Sequence, residues 1–326
     1  MDTIVESKDQ RWVGNRPTAP LVGRAVIDEV EDYVSSVAGV NVEVVRIGAG
    51  SGTEVTAARW PQFTFTSSKI GFPMLSRTMI RDDMVAVAYM RRTIAGSRWC
   101  EMSLQPGAAV VHAPSSPHTA RNLVGTEFMF VIAEQAHLEE HADLLGTRLQ
   151  QPPRGEVHLL APSTKTGLIG QSFQTLERHT AAGGLPTAAV ADGVVSAITL
   201  ALSEDDRKPR IGGRNRIDGR QVVWTCQDYA ASVQRIPSIS ELCLVTNVSE
   251  RTLRAVFARE YDLPPTRYFR AWALDQARRR LIDGVDDGAT VTEVANGLGF
   301  DHLGRFSIRY KQIYGEPPSE TLRTAR

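Results

Sequence analysis

The chain is 326 residues long, enough for two domains with separate cores, and its 37 Lys+Arg balance 37 Asp+Glu to a net charge of zero. No run approaches the ~20 uncharged apolar residues of a membrane span, and the N-terminus lacks a signal-peptide pattern, so a cytoplasmic protein without membrane contact is expected. Cys100, Cys226 and Cys243 are widely spaced, which suggests neither a disulfide framework nor a zinc cluster; they are expected to be reduced packing residues.

From about residue 40 to 135, short apolar or alternating runs are broken by Gly, Pro, Ser and Asp: Val42–Ile47, Gln62–Thr66, Met84–Met90, Trp99–Leu104, Ala108–His112 and Glu127–Ile132. That spacing predicts an antiparallel barrel or sandwich. A small barrel can hold one small ligand, and Phe63, Phe65, Tyr89, Trp99 and Phe128 are the candidate lining of an effector pocket. Aromatic residues in strands also serve simply as core. Gln105, Pro106 and Gly107 before a strand, then His118 four residues ahead of Asn122, resemble a degenerate second half of the cupin signature. A metal-binding cupin adds a paired-histidine-plus-glutamate motif on an earlier strand, and nothing between Val42 and Met102 supplies one; the nearest histidine is His112. His118 is therefore expected to be a hydrogen-bonded loop or strand-end residue, with no metal and no cofactor in the domain.

Two helices are predicted next, over about 165–182 (Leu168, Ile169, Phe173, Leu176) and about 187–203 (Val190, Val194, Ile198, Leu202), separated by Gly183, Gly184 and Pro186. Their apolar stripes either pack on their own domain or form a homodimer interface. Residues 204–220 are charged, hold Pro209 and three glycines, and show no period, which marks a linker. It divides a unit at 1–203 from one at 221–326. Arg207 to Arg326 carry 20 Lys+Arg against 14 Asp+Glu, while residues 1–206 carry 17 against 23. Basic charge therefore sits with the second unit, as phosphate neutralisation requires.

That second unit holds one pattern twice, about fifty residues apart, at Ile239–Phe257 and Val291–Tyr310. Leu242 matches Val294, Cys243 matches Ala295, Asn247 matches Gly299 and Val248 matches Phe300; after one extra residue in the second copy, Leu253 matches Phe306 and Phe257 matches Tyr310. A small residue lets two helices cross closely, and Asn or Gly tolerates the left-handed turn between them. Ser249 and Asp301 are the expected caps of the helices that follow. Each copy is a helix-turn-helix, predicted at about 239–260 and 291–314. A long helix at about 266–283 bridges them, with Phe269, Trp272, Ala273, Ala277 and Leu281 as its buried seam. Its length of roughly 25 Å suits recognition helices about one DNA turn, ~34 Å, apart. Arg270, Arg278, Arg279 and Arg280 on that helix, with Lys311 beyond it, are candidate phosphate contacts; salt bridges to Asp275 or Asp283 are the alternative for the arginine triplet.

Residues 221–326 resemble the DNA-binding domain of the AraC/XylS family of transcriptional regulators. Gly299-Phe300, Phe306-Ser307, Tyr310-Lys311, Tyr314-Gly315 and Pro318-Ser319 carry the likeness. The resemblance implies a seven-helix unit behind a cupin-like sensor, and base contacts from the first turns of both recognition helices. Those positions are Ser249, Glu250, Arg251 and Arg254 in the first copy, and His302, Leu303, Gly304, Arg305 and Arg309 in the second. Arginine pairs bidentately with guanine, so Arg251, Arg254 and Arg305 lead. The second helix departs from the family where Leu303 and Gly304 offer no side-chain donor and Ile308 replaces a frequent arginine.

The expected fold is therefore α+β and multidomain: a cupin-like β-barrel with following helices, then an all-α domain with two helix-turn-helix motifs. The expected function is sequence-specific regulation of transcription, without enzymatic activity, in response to an unknown small-molecule effector. Its partners would be double-stranded promoter DNA, RNA polymerase if it is an activator, and a second copy in a homodimer. Two alternatives stand beside it, a cupin-type metalloenzyme fused to a DNA-binding domain, and a regulator whose first domain only dimerises or docks a protein.

Overall fold

The computed structural model describes residues 21–30, 32–33, 41–60, 63–182, 187–203, 218–283 and 290–325. Eleven strands form two antiparallel sheets among these residues. The larger takes β1 (Leu21–Ile27), β3 (Thr53–Arg59), β4 (Phe63–Lys69), β10 (Glu127–Glu134), β6 (Met84–Arg92), β8 (Ala109–His112) and β11 (Val157–Leu160), in that spatial order. The smaller takes β2 (Asn41–Arg46), β5 (Met74–Met79), β9 (Pro117–Asn122) and β7 (Arg98–Trp99). The expected barrel is corrected to two facing sheets, because no ladder joins β1 or β11 to the edges of the smaller sheet among the described residues. The large sheet also begins before residue 40 and takes its last strand after 135.

Strand parity sorts the side chains into layers. Met74, Ala86, Ala88, Met90, Phe128 and Phe130 fill the space between the sheets. The opposite face of the large sheet presents Phe63, Phe65, Val85, Val87, Met129 and Val131 to Ile169, Phe173, Val194 and Ile198. These last four lie on α2 (Thr164–Ala181) and α3 (Ala188–Leu202), which follow the short α1 (Gln135–Leu144). The helices predicted at 165–182 and 187–203 thus cover their own sheet. Ser163 and Thr166 form a capping box that starts α2.

Among the described residues, seven helices make the C-terminal bundle: α4 (Gly219–Val233), α5 (Ile239–Thr246), α6 (Glu250–Tyr261), α7 (Pro265–Asp283), α8 (Val291–Gly297), α9 (Leu303–Tyr314) and α10 (Pro318–Ala325). Capping boxes Ser238/Glu241 and Thr290/Glu293 open α5 and α8. The turns that end them pass through Asn247 at φ 50° and Gly299 at φ 86°, the left-handed conformation the two copies share. All five seam residues of α7 are buried. Most of the predicted linker lies outside the described residues, and its last two residues, Gly219 and Arg220, already belong to α4, which Asp218 caps.

The outward face of the small sheet is covered by this bundle. Val45 and Leu75 belong to the bundle's core, while Val44 and Met74, their neighbours in sequence, face the other way into the sandwich. The layers therefore run helices, large sheet, small sheet, bundle.

Candidate nucleic-acid interface

The first recognition helix, α6, buries Leu253, Val256, Phe257, Glu260 and Tyr261 and leaves Glu250, Arg251 and Arg254 exposed. Ser249 is exposed too, but its hydroxyl is committed to the helix start, accepting from the Thr252 amide at 3.2 Å. Arg254 is held back by Glu250, one turn before it, at 2.6 Å. Arg251 has no ion-pair partner among the described residues and points to solvent.

On the second helix, α9, Phe306, Tyr310 and Ile313 are buried, and His302, Leu303, Gly304, Arg305, Arg309 and Lys311 are exposed. Ile308 is 62% exposed, an apolar side chain on a surface a thymine methyl could meet. The expected cap is corrected: His302, not Asp301, precedes α9, and it makes no capping bond. The extra residue of the second copy moves Asp301 one position outside the helix start. Beside α9 lies a groove of ≈ 300 Å³ whose rim includes Arg267, Arg270, Arg305 and Arg309, with Phe300 and Leu274 along its wall. Arg267, one turn before Arg270 on α7, was not among the sequence candidates, although its place on the same face of a helix could have pointed to it.

The remaining arginines of α7 behave differently. Arg278 is corrected from a phosphate contact to an interdomain clamp: Nη2 bonds Glu29 at 2.5 Å, Nη1 bonds Glu316 at 2.9 Å, and the guanidinium lies 4.8 Å from the Tyr314 ring centroid. These carboxylates hold it firmly charged, with its pKa raised despite burial. Arg280 donates to the Gln234 carbonyl at 3.2 Å, and Arg279 is half-buried. Asp275 accepts from Tyr314 Oη at 2.6 Å and from the Arg46 amide at 3.2 Å.

A family profile described as a helix-turn-helix domain matches residues 242–324. The chain is 30% identical over 136 residues to the "Probable thc operon regulatory protein" of Rhodococcus erythropolis, covering 41% of this chain and 40% of that one. It is 35% identical over 91 residues to the XylDLEGF operon transcriptional activator 2 of Pseudomonas putida, covering 28% of this chain and 58% of that one. The C-terminal domain is of the AraC/XylS type. A solved structure of a probable AraC family transcriptional regulator from Rhodopseudomonas palustris is 33% identical and covers 32% of this chain and 98% of its own, with a TM-score of 0.30. The chain spans about 40% and 58% of the lengths of the two curated relatives.

The AraC/XylS-type domain is tied to the small sheet by side chains of one parity. Thr119 donates to the buried Glu260 of α6 at 2.7 Å, Arg121 to Asp262 at 2.6 Å, and Arg77 to Asp228 of α4 at 2.6 Å while lying 4.8 Å from the Trp224 ring centroid. Arg259 pairs with Glu101 at 2.9 Å. The recognition helix α6 thus rests directly on β7 and β9.

Between the sheets is a cavity of ≈ 50 Å³ whose walls include Thr66, Trp99, His118, Asn122 and Phe128. Of the predicted pocket lining, Trp99 and Phe128 stand there. Phe63, Phe65 and Tyr89 are corrected: they lie on the opposite face, packed with α2 and α3, because on β4 it is Thr66 that turns inward. His118 is the second residue of β9, the strand-end alternative of the expectation, and its Nδ1 meets Cys100 Sγ at 3.3 Å. Burial lowers the His118 imidazole to about 3, holds His112 well below its usual value and pushes the Cys100 thiol up to about 12, so the trio is uncharged at neutral pH. Cys226 and Cys243 are free; Cys226 packs in the bundle core and the partly buried Cys243 lies against it. No described helix is long and apolar enough to cross a membrane.

Proposed function

We propose that this protein is a sequence-specific DNA-binding transcriptional regulator whose N-terminal two-sheet domain senses a small molecule. The observation that carries the reading is the pair of recognition helices, α6 and α9, each exposing an arginine near its start on one bundle spanned by α7. Arg251 and Arg305 meet base edges; Ser249, Glu250, Arg254, His302, Leu303, Gly304 and Arg309 complete the two surfaces. Arg270, Lys311 and the newly placed Arg267 take phosphates, with Arg279 and Arg280 at the margin.

The first domain is cupin-like in this reading, supported by Pro106-Gly107 ahead of β8 and by His118 and Asn122 on β9. Its cavity suits a small effector, which acts by favouring one arrangement of the domains over another. The outer surface of α2 and α3, with Leu168 and Leu200 exposed, is the candidate homodimer face. RNA polymerase is the further partner if the protein activates, the site of action is the cytoplasm, and no catalytic role is assigned.

The test is selection of binding sites from random-sequence DNA at fixed salt, followed by Arg251→Ala and Arg305→Ala. Each substitution should relax preference at its own base pairs by ~1–3 kcal/mol, with altered positions about one helical turn apart. Unchanged preference in both variants would overturn base reading by these residues.

A further inference from the structure

We propose that Cys100, His112 and His118 form a three-ligand site for a divalent transition metal of the Zn²⁺ type, open on one side toward the cavity between the sheets. The three come from separate elements, the turn after β7, the end of β8 and the start of β9, and all are buried. Their candidate ligand atoms lie within 4.8 Å of one another. A tetrahedral Zn²⁺ with bonds of ~2.0–2.3 Å needs ligand atoms ~3.3–3.8 Å apart, so small side-chain rotations close the site.

Two further features point to an ion. Both ring nitrogens of His112 lack a hydrogen-bond partner, although the residue is fully buried and its ring stands 4.7 Å from that of His118, nearly perpendicular at 87°. A buried imidazole with no partner at either nitrogen is a poor packing residue and a ready ligand. Cys100 is delivered by a tight turn in which it and Glu101 take φ 46° and 69°, a left-handed pair without glycine. Non-glycine residues adopt that backbone at a cost, and such strain collects where a side chain must be aimed. The Cys100 amide, bonded to the Thr119 carbonyl at 2.8 Å, pins the turn to β9.

The donor set selects the ion. One thiolate and two imidazoles, with no carboxylate among them, suit Zn²⁺ and its borderline neighbours and disfavour Mg²⁺ and Ca²⁺. On capture the thiol proton passes to solvent and the sulfur becomes a bound thiolate. Three protein ligands leave a fourth position, and the cavity of ≈ 50 Å³ beside His118 has room for water or a small anion there.

The test is a titration of the tag-free full-length chain, stripped with chelator, using Co²⁺ as a spectroscopic probe and then Zn²⁺. The expected result is one equivalent of Co²⁺ per chain, a thiolate-to-cobalt charge-transfer band, and its displacement by Zn²⁺. Cys100→Ser should abolish the band, and His112→Gln and His118→Gln should each weaken binding at least about tenfold. Absence of the band in the wild-type chain, or equal binding by the wild type and Cys100→Ser, overturns the proposal without reference to any variant's folding. DNA selection on the metal-free chain is read separately, so a failed regulator assignment and a failed metal site are distinguishable.

Discussion

Arg270 and Arg278 are two helical turns apart on α7 and indistinguishable by residue type, yet one borders an open groove and the other is clamped between Glu29 and Glu316. The difference is invisible along the chain because Glu29 is 249 residues away from Arg278. Arg270→Ala is expected to weaken DNA binding about equally for all sequences and to reduce the slope of log affinity against log salt by about one phosphate contact. Arg278→Ala should leave that slope alone and lower stability by ~1–3 kcal/mol, since it strands two carboxylates that it now satisfies. Salt-dependent binding and urea unfolding of both variants separate the roles, and a changed salt slope in Arg278→Ala would return it to the phosphate set. Local features were more legible. Asn247, Gly299 and Ser249 act within a few residues of their own position, so the turns and the first recognition-helix cap could be read directly.

At the scale of elements, legibility followed the range of the interaction. Helices α2 and α3 came from their own periodicity, and most predicted strand runs have a counterpart in the sheets. The run Trp99–Leu104 does not continue as a strand, because Cys100 and Glu101 turn the chain back at once. Which face of β4 or β6 lines the cavity could not be read, since both faces are covered: β6 carries apolar residues on both, and β4 turns its phenylalanines to the helices and Thr66 to the cavity. Tyr89 shows what decides it. Its ring sits over Gly170 of α2, where an added Cβ would stand 2.4 Å from Tyr89 Cζ. Gly170 is therefore kept by a ring from another element and not by its own backbone conformation. Gly170→Ala should cost ~1–3 kcal/mol through overpacking, outweighing the gain in helix propensity, as measured by urea or thermal unfolding. A more stable alanine variant would show that Tyr89 moves aside freely.

Over the whole molecule, the small sheet is a shared wall. One face meets the cavity and the Cys100–His112–His118 cluster, the other meets the AraC/XylS-type domain, and alternate residues of β9 serve each side: His118 inward, Thr119 to Glu260 outward. A change inside the sandwich that shifts β9 therefore reaches α6 across a single strand. Glu260 makes this junction sensitive to pH. Burial, with Glu101 adding repulsion, raises its carboxyl to about 7 from 4.5, against lowering by the Thr119 hydrogen bond and by Arg259. Between those two values the folded chain keeps a proton that the unfolded chain has released. Its contribution to stability is thus intact below pH 4.5, falls as pH rises, and is lost above about 7. Glu260→Gln keeps an acceptor for Thr119 but cannot ionise. Measured by urea unfolding from pH 4.5 to 8, the glutamine variant should gain on the wild type steadily to about pH 7 and then hold a constant advantage. A wild type that is the more stable at pH 8 would mean that Arg259 supports an ionised Glu260 strongly enough to offset its burial, and that α6 is docked by an ion pair and not by a protonated acid.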